Sequence, residues 1–200
     1  MSSPKRVVVG ISGASGAVLG IRLLEVLKEM EAVETHLVIS PAARITISDE
    51  ADYPVKQVEA LADVVYRPRD LGAAIASGSF HTDGMVIIPC SIKTLSAVAQ
   101  CYAGELLSRA ADVTLKEGRT LILVVREAPL HLGHLRLMVQ AAEMGAVIFP
   151  PVPAFYVHLS SIEEMVDNTV GRVLARLGVE NDLYRRWHGL GSQPGPAGDK

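Results

Sequence analysis

The chain has 200 residues, 49% of them hydrophobic and 20% charged, with a formal net charge of −3. That balance excludes a disordered chain and a general nucleic-acid surface, and the length allows one substantial core rather than two ordinary domains. Two cysteines, Cys90 and Cys101, are too few for a disulfide framework and stand in no paired metal-ligand spacing, which points to a reducing, cytoplasmic setting without a membrane span.

Residues 6–11 are nearly continuous β-branched residues, the mark of a strand buried on both faces. Glycines follow at positions 10, 13 and 16, and then residues 17–30 read as a helix with Leu19, Leu23, Leu24 and Leu27 on its apolar side. Residues 35–40 read as a second strand, and Pro41 opens a helix running to about Glu50. In the middle of the chain, residues 55–62 suit a short helix and 67–80 a loop with one helical turn. Residues 84–89 are a strand, 94–102 and 105–116 helices, and 120–125 the next strand. The spacing of Leu132, Leu135, Met138, Val139 and Ala142 predicts a helix, 146–149 a short strand, and Pro150, Pro151 and Pro153 a stiff loop. Ile162, Met165, Val166, Val170, Val173 and Leu177 mark a last helix that Gly178 ends, and residues 191–200 carry too little apolar surface to order themselves. Alternating apolar strands and helices predict an α/β fold, a Rossmann-like or flavodoxin-like three-layer sandwich with a mostly parallel sheet.

The first strand runs into Gly-Ile-Ser-Gly-Ala-Ser-Gly-Ala and then a helix. Small residues let the backbone approach a phosphate, and the helix start offers free amides. The Gly-x-x-Gly-x-x-Gly spacing is neither the dinucleotide fingerprint nor a triphosphate loop, and with the Ser12 and Ser15 hydroxyls it suits one phosphate monoester, as on flavin mononucleotide (FMN). The plainer alternative is that the glycines only permit tight strand-to-helix packing. Ser40 stands at the end of the second strand, and Ser91 and Thr94 follow the third clear one, where they either bind a ligand's polar edge or cap a helix. Cys90 has no histidine in a catalytic arrangement, and His131 and His134 lack partners for a metal site, so no metal is expected.

Arg109, Lys116, Arg126 and Glu127 form the most distinctive charged set. Arg126 and Glu127 directly follow a fully apolar strand, at the mouth of an α/β crevice, where cations hold an anion and a carboxyl can exchange a proton with it. A solvated rim of ordinary ion pairs is the alternative. Phe155 and Tyr156 end the proline loop and either wall an apolar pocket or serve core or subunit contacts.

Five segments carry a further signal: GISGASGA, PCSIKTLSAVA at 89–99, RAADVTLKEGR at 109–119, REAPLHLGHLRLM at 126–138 and GAVIFPPVPAFY at 145–156. In that order they resemble the UbiX/Pad family of flavin prenyltransferases, over residues 5–189. The resemblance implies a single flavoprotein domain, 1–190. It implies a homo-oligomer, a dodecamer, that transfers a dimethylallyl group from dimethylallyl phosphate to reduced FMN. The product, prenylated FMN, would serve a UbiD-type decarboxylase. Among site residues it implies Gly13, Ala14 and Ser15 beside the flavin, with Ser40, Ser91, Thr94 and Arg126 completing the flavin site. Glu50 would lie near the allyl group. Arg109, Lys116, Arg126, Tyr156 and Arg172 would hold the substrate phosphate, and Glu127 would assist its departure, with Ser15, Glu50, Lys116 and Glu127 acting in catalysis. Two other readings share the strand–glycine–helix start: an FMN-dependent cysteine-type decarboxylase and a non-catalytic FMN-binding subunit.

Overall fold

A computed structural model describes residues 3–51, 53–187 and 189. The expected unordered tail, 191–200, lies outside the described residues. Six strands, β1 (Lys5–Ile11), β2 (Val33–Ile39), β3 (Val64–Tyr66), β4 (Gly84–Cys90), β5 (Thr120–Val125) and β6 (Val147–Ile148), form one sheet in the order β3-β2-β1-β4-β5-β6. Every pairing is parallel. The chain starts at the middle of the sheet, works outward to β3, then returns to the other side of β1. The order therefore reverses between β1 and β4, which opens a crevice at their carboxyl ends.

Parallel strands must be covered on both faces, and the alternation within each strand supplies the two apolar surfaces. Val7, Val9, Ile11, Leu37, Ile39, Val86 and Ile88 pack toward α1 (Ala17–Lys28), α2 (Pro41–Glu50) and α7 (Ile162–Arg176). Val8, Val38, Met85, Ile87, Leu121 and Leu123 pack toward α4 (Ile92–Ala99), α5 (Leu106–Lys116) and α6 (Leu132–Glu143). The short α3 (Val55–Glu59) adds Val58 to the first of these cores. The result is the three-layer α/β sandwich predicted from the pattern.

Element ends follow local chemistry. Ser40, Ser91 and Ser161 cap α2, α4 and α7 by accepting the amides of Ala43, Thr94 and Glu164, and Pro41 occupies the first turn of α2. Gly178 follows α7 at φ 70°, a left-handed conformation that glycine adopts without strain. Three features depart from the expectations. Residues 64–66, between the expected helix and loop, form an edge strand, α4 begins at Ile92 rather than Thr94, and a 3-10 turn over Phe155–Val157 follows the prolines. The helical turn foreseen within 67–80 is a 3-10 turn over Ala74–Ala76. Among the described residues no helix is long and apolar enough to cross a membrane.

Candidate functional site

At the crevice mouth the β1–α1 turn, residues 12–16, meets the start of α4. Gly16 takes φ 98°, which lets the chain turn sharply from strand to helix. Gly13 is small for a packing reason: a Cβ there would lie 2.4 Å from the Cβ of Ala42 in α2. Close packing and an open ligand wall are thus both served by the same turn.

Two amides at the start of α1, those of Gly16 and Ala17, are already engaged. Glu50, the last residue of α2, swings its carboxylate over them, and Oε2 accepts from Gly16 N at 2.8 Å and from Ala17 N at 3.3 Å. The Ser15 hydroxyl and the positive charge of Arg126 also favour the charged form of this carboxylate. Burial is the largest single influence on this carboxyl and pushes its pKa upward, but Ser15, the two amides and Arg126 together hold it below its ordinary value. Glu50 is therefore a fixed negative charge beside Ser15. It also lines a groove of about 510 Å³ with Val18, Arg22, Tyr53 and Asp167.

On the facing wall, Ser91 Oγ accepts from Thr94 N at 3.3 Å and lies 3.2 Å from Thr94 Oγ1. The Ile92 and Lys93 amides of this first turn find no protein acceptor among the described residues. Ser40 stands between the walls, its amide donating to Ile11 O at 2.9 Å and its hydroxyl accepting from Ala43 N. Arg126 N donates to Cys90 O at 3.1 Å, which places Arg126 and Glu127 just beyond β5 at the same end of the sheet. Glu127 is exposed and Oε1 accepts the Ala128 amide. Cys90 is wholly buried, and desolvation pushes its thiol far above the ordinary range, so it is inert. The rings of His131 and His134 lie with centroids 3.6 Å apart, tilted by 36°, with His131 Nδ1 capping α6 at Gly133 N.

The remaining phosphate-holding candidates stand apart in this chain. Arg109 donates to Ala76 O and to Asp112, and Lys116 pairs with Glu117, both on the outer side of α5. Arg172 lies over the Phe149 ring at 5.3 Å, and Tyr156 meets Trp187 edge-on at 5.5 Å. No hydrogen bond or ion pair among the described residues joins these groups to Ser15 and Glu50. Sequence reasoning missed Trp187 as the partner of Tyr156, although it is the chain's one tryptophan. It also read Ser12 as a free hydroxyl donor, whereas the residue is buried.

A doubly wound sheet with hydroxyls and small residues on both sides of its switch point, and open amides at the start of α4, defines an FMN-type flavoprotein site. The Flavoprotein family profile matches residues 1–174. The chain is 59% identical over 187 residues to the flavin prenyltransferase UbiX of Escherichia coli K12, covering 92% of this chain and 99% of that one. Two solved structures superpose with TM-scores of 0.90. One is a dodecameric FMN-dependent UbiX-like decarboxylase of Escherichia coli O157:H7, 50% identical, covering 92% of this chain and 100% of that one. The other is AnUbiX (PadA1) in complex with FMN and dimethylallyl pyrophosphate, 49% identical, covering 93% and 98%. The chain belongs to the UbiX family of flavin prenyltransferases and is an enzyme of that class.

Proposed function

We propose that this crevice seats FMN and that the enzyme transfers a dimethylallyl group from dimethylallyl phosphate to reduced FMN, yielding prenylated FMN for a UbiD-type decarboxylase. One observation carries the placement. Glu50 occupies the Gly16 and Ala17 amides at the start of α1, while the Ile92 and Lys93 amides of α4 find no acceptor among the described residues beside Ser40, Ser91 and Thr94. A phosphate monoester belongs on the α4 side, and the flavin ring then lies against Gly13, Ala14 and Ser15.

Reduced FMN supplies an electron-rich ring that accepts the prenyl carbon. The chain's own residues do the rest. Ser15 and Glu50 stand at the ring's edge, with the carboxylate held charged where positive charge develops. Arg126 offers a cation at the crevice mouth, and Glu127 beside it is the acid–base group assigned to the departing phosphate. Arg109, Lys116, Tyr156 and Arg172 belong to this phosphate site, but one chain presents them on separate surfaces. We assign their convergence to neighbouring copies in a homo-oligomer, a dodecamer like that of the relative. Apolar side chains left on the surface support that assembly: Phe155 is 82% exposed and Leu132 60%.

The test is anaerobic incubation of the protein with FMN, a reductant and dimethylallyl phosphate, followed by mass spectrometry of the extracted flavin. The expected product is heavier than FMN by one dimethylallyl group. Recovery of FMN alone would refute the reading.

A further inference from the structure

β1 and β4 pair only from Val7 with Gly84 to Gly10 with Ile87. The ladder stops before the mouth, because neighbouring strands at a switch point send their chains to opposite faces of the sheet. The two walls of the crevice therefore lie beyond the last β1–β4 rung. Ser12 takes over there. Its hydroxyl donates to Pro89 O at 2.9 Å and accepts from Ser91 N at 2.7 Å, and its own amide reaches Pro89 O at 3.2 Å. The residue is 1% exposed, so the hydroxyl is enclosed by protein rather than offered to a ligand.

The bonds continue outward on both sides. Ser91, fixed through its amide, uses its hydroxyl to cap α4 at Thr94 N. Ser12 directly precedes Gly13, Ala14 and Ser15, and the same turn runs on to Gly16, whose amide holds Glu50. One buried hydroxyl thus sets the spacing between the turn assigned to the flavin ring and the turn assigned to its phosphate. Its partners are group-specific: Ser91 N needs an acceptor and Pro89 O a donor, and one hydroxyl supplies both.

We propose that Ser12 is a positioning residue for the flavin, holding the two walls of the crevice at the separation one FMN molecule requires. This deepens the reading given under Proposed function and rests on it. Ser12→Ala removes both bonds while leaving every flavin-facing group in place. The expected result is at least a tenfold rise in the FMN dissociation constant, measured by fluorescence quenching. The visible circular dichroism of bound FMN should also change, since it reports the ring's orientation.

Thr114→Val is the control for simple loss of a buried hydrogen bond. Its hydroxyl donates to Ala110 O at 2.7 Å within α5 and touches neither turn. It should lower the melting temperature while keeping the wild-type FMN affinity and spectrum. If Ser12→Ala does not fold, Ser12→Cys, of similar volume with a weak donor and acceptor, is measured in its place. Wild-type affinity and dichroism in whichever Ser12 variant folds would overturn the proposal. Equal weakening of FMN binding in Thr114→Val would overturn it too, by reducing Ser12 to general stability. A wild-type protein that binds no FMN would instead overturn the reading of the crevice itself.

Discussion

Glu50 and Glu127 are both carboxylates at the crevice, but their surroundings give them different work. Glu50 accepts from the Gly16 and Ala17 amides, and Ser15 and Arg126 further favour its charged form, so it stays ionised. Glu127 accepts only the Ala128 amide among the described residues and is exposed, so its carboxyl is open to a substrate phosphate and is assigned the proton transfer there. Glu127→Gln preserves size and hydrogen bonding but cannot deliver that proton. It should retain FMN at wild-type affinity and transfer the prenyl group ~10²–10⁴-fold more slowly, as read by single-turnover formation of the heavier flavin. An unchanged rate would remove Glu127 from the mechanism. The Ser15–Glu50 pairing was not legible from periodicity. The two residues are far apart in sequence, and only the family motif hinted that they share a site.

At the level of elements, the long apolar strands and leucine-striped helices were legible because their period is strong and their ends carry serine, proline or glycine. β3 was not, because three residues on a sheet edge give too short a pattern, and Val65 is exposed. What fixes β3 is tertiary. Its Tyr66 hydroxyl lies 3.0 Å from Nδ1 of His36 in β2, and His36 is 2% exposed. Nε2 sits 3.1 Å from Glu34 Oε1, off the line of a good hydrogen bond. Desolvation lowers the His36 pKa from its ordinary 6.5. Glu34 and Asp63 oppose that shift, and Arg6 reinforces it. Tyr66 and the edge of the Phe80 ring complete the enclosure. The unfolded chain thus binds this proton more readily than the folded one. His36 stability is complete above pH ~6.5 and is lost as pH falls toward the lowered folded-state value. Urea unfolding between pH 8 and 5.5 should show stability dropping on the acid side, and His36→Gln should flatten that slope. An identical slope in the variant would dismiss His36 as its source.

The molecule as a whole presents its candidate site residues on separate surfaces, with Ser15 in the β1–α1 turn and Glu50 at the end of α2, Arg109 and Lys116 on α5, and Tyr156 beside Trp187. A composite site requires association, so sedimentation at micromolar concentration should show an oligomer and no dominant monomer. A monomer with full prenyl transfer activity would contradict it. The sheet order carries one more consequence, for biosynthesis. During translation β1 can dock on β2 as soon as both have emerged, but its other flank stays bare until Gly84–Cys90 leaves the ribosome. For that interval an apolar strand with an open row of amides and carbonyls faces the cell, the situation that invites mispairing and chaperone capture. Truncations ending before β4 would leave this exposed flank permanent.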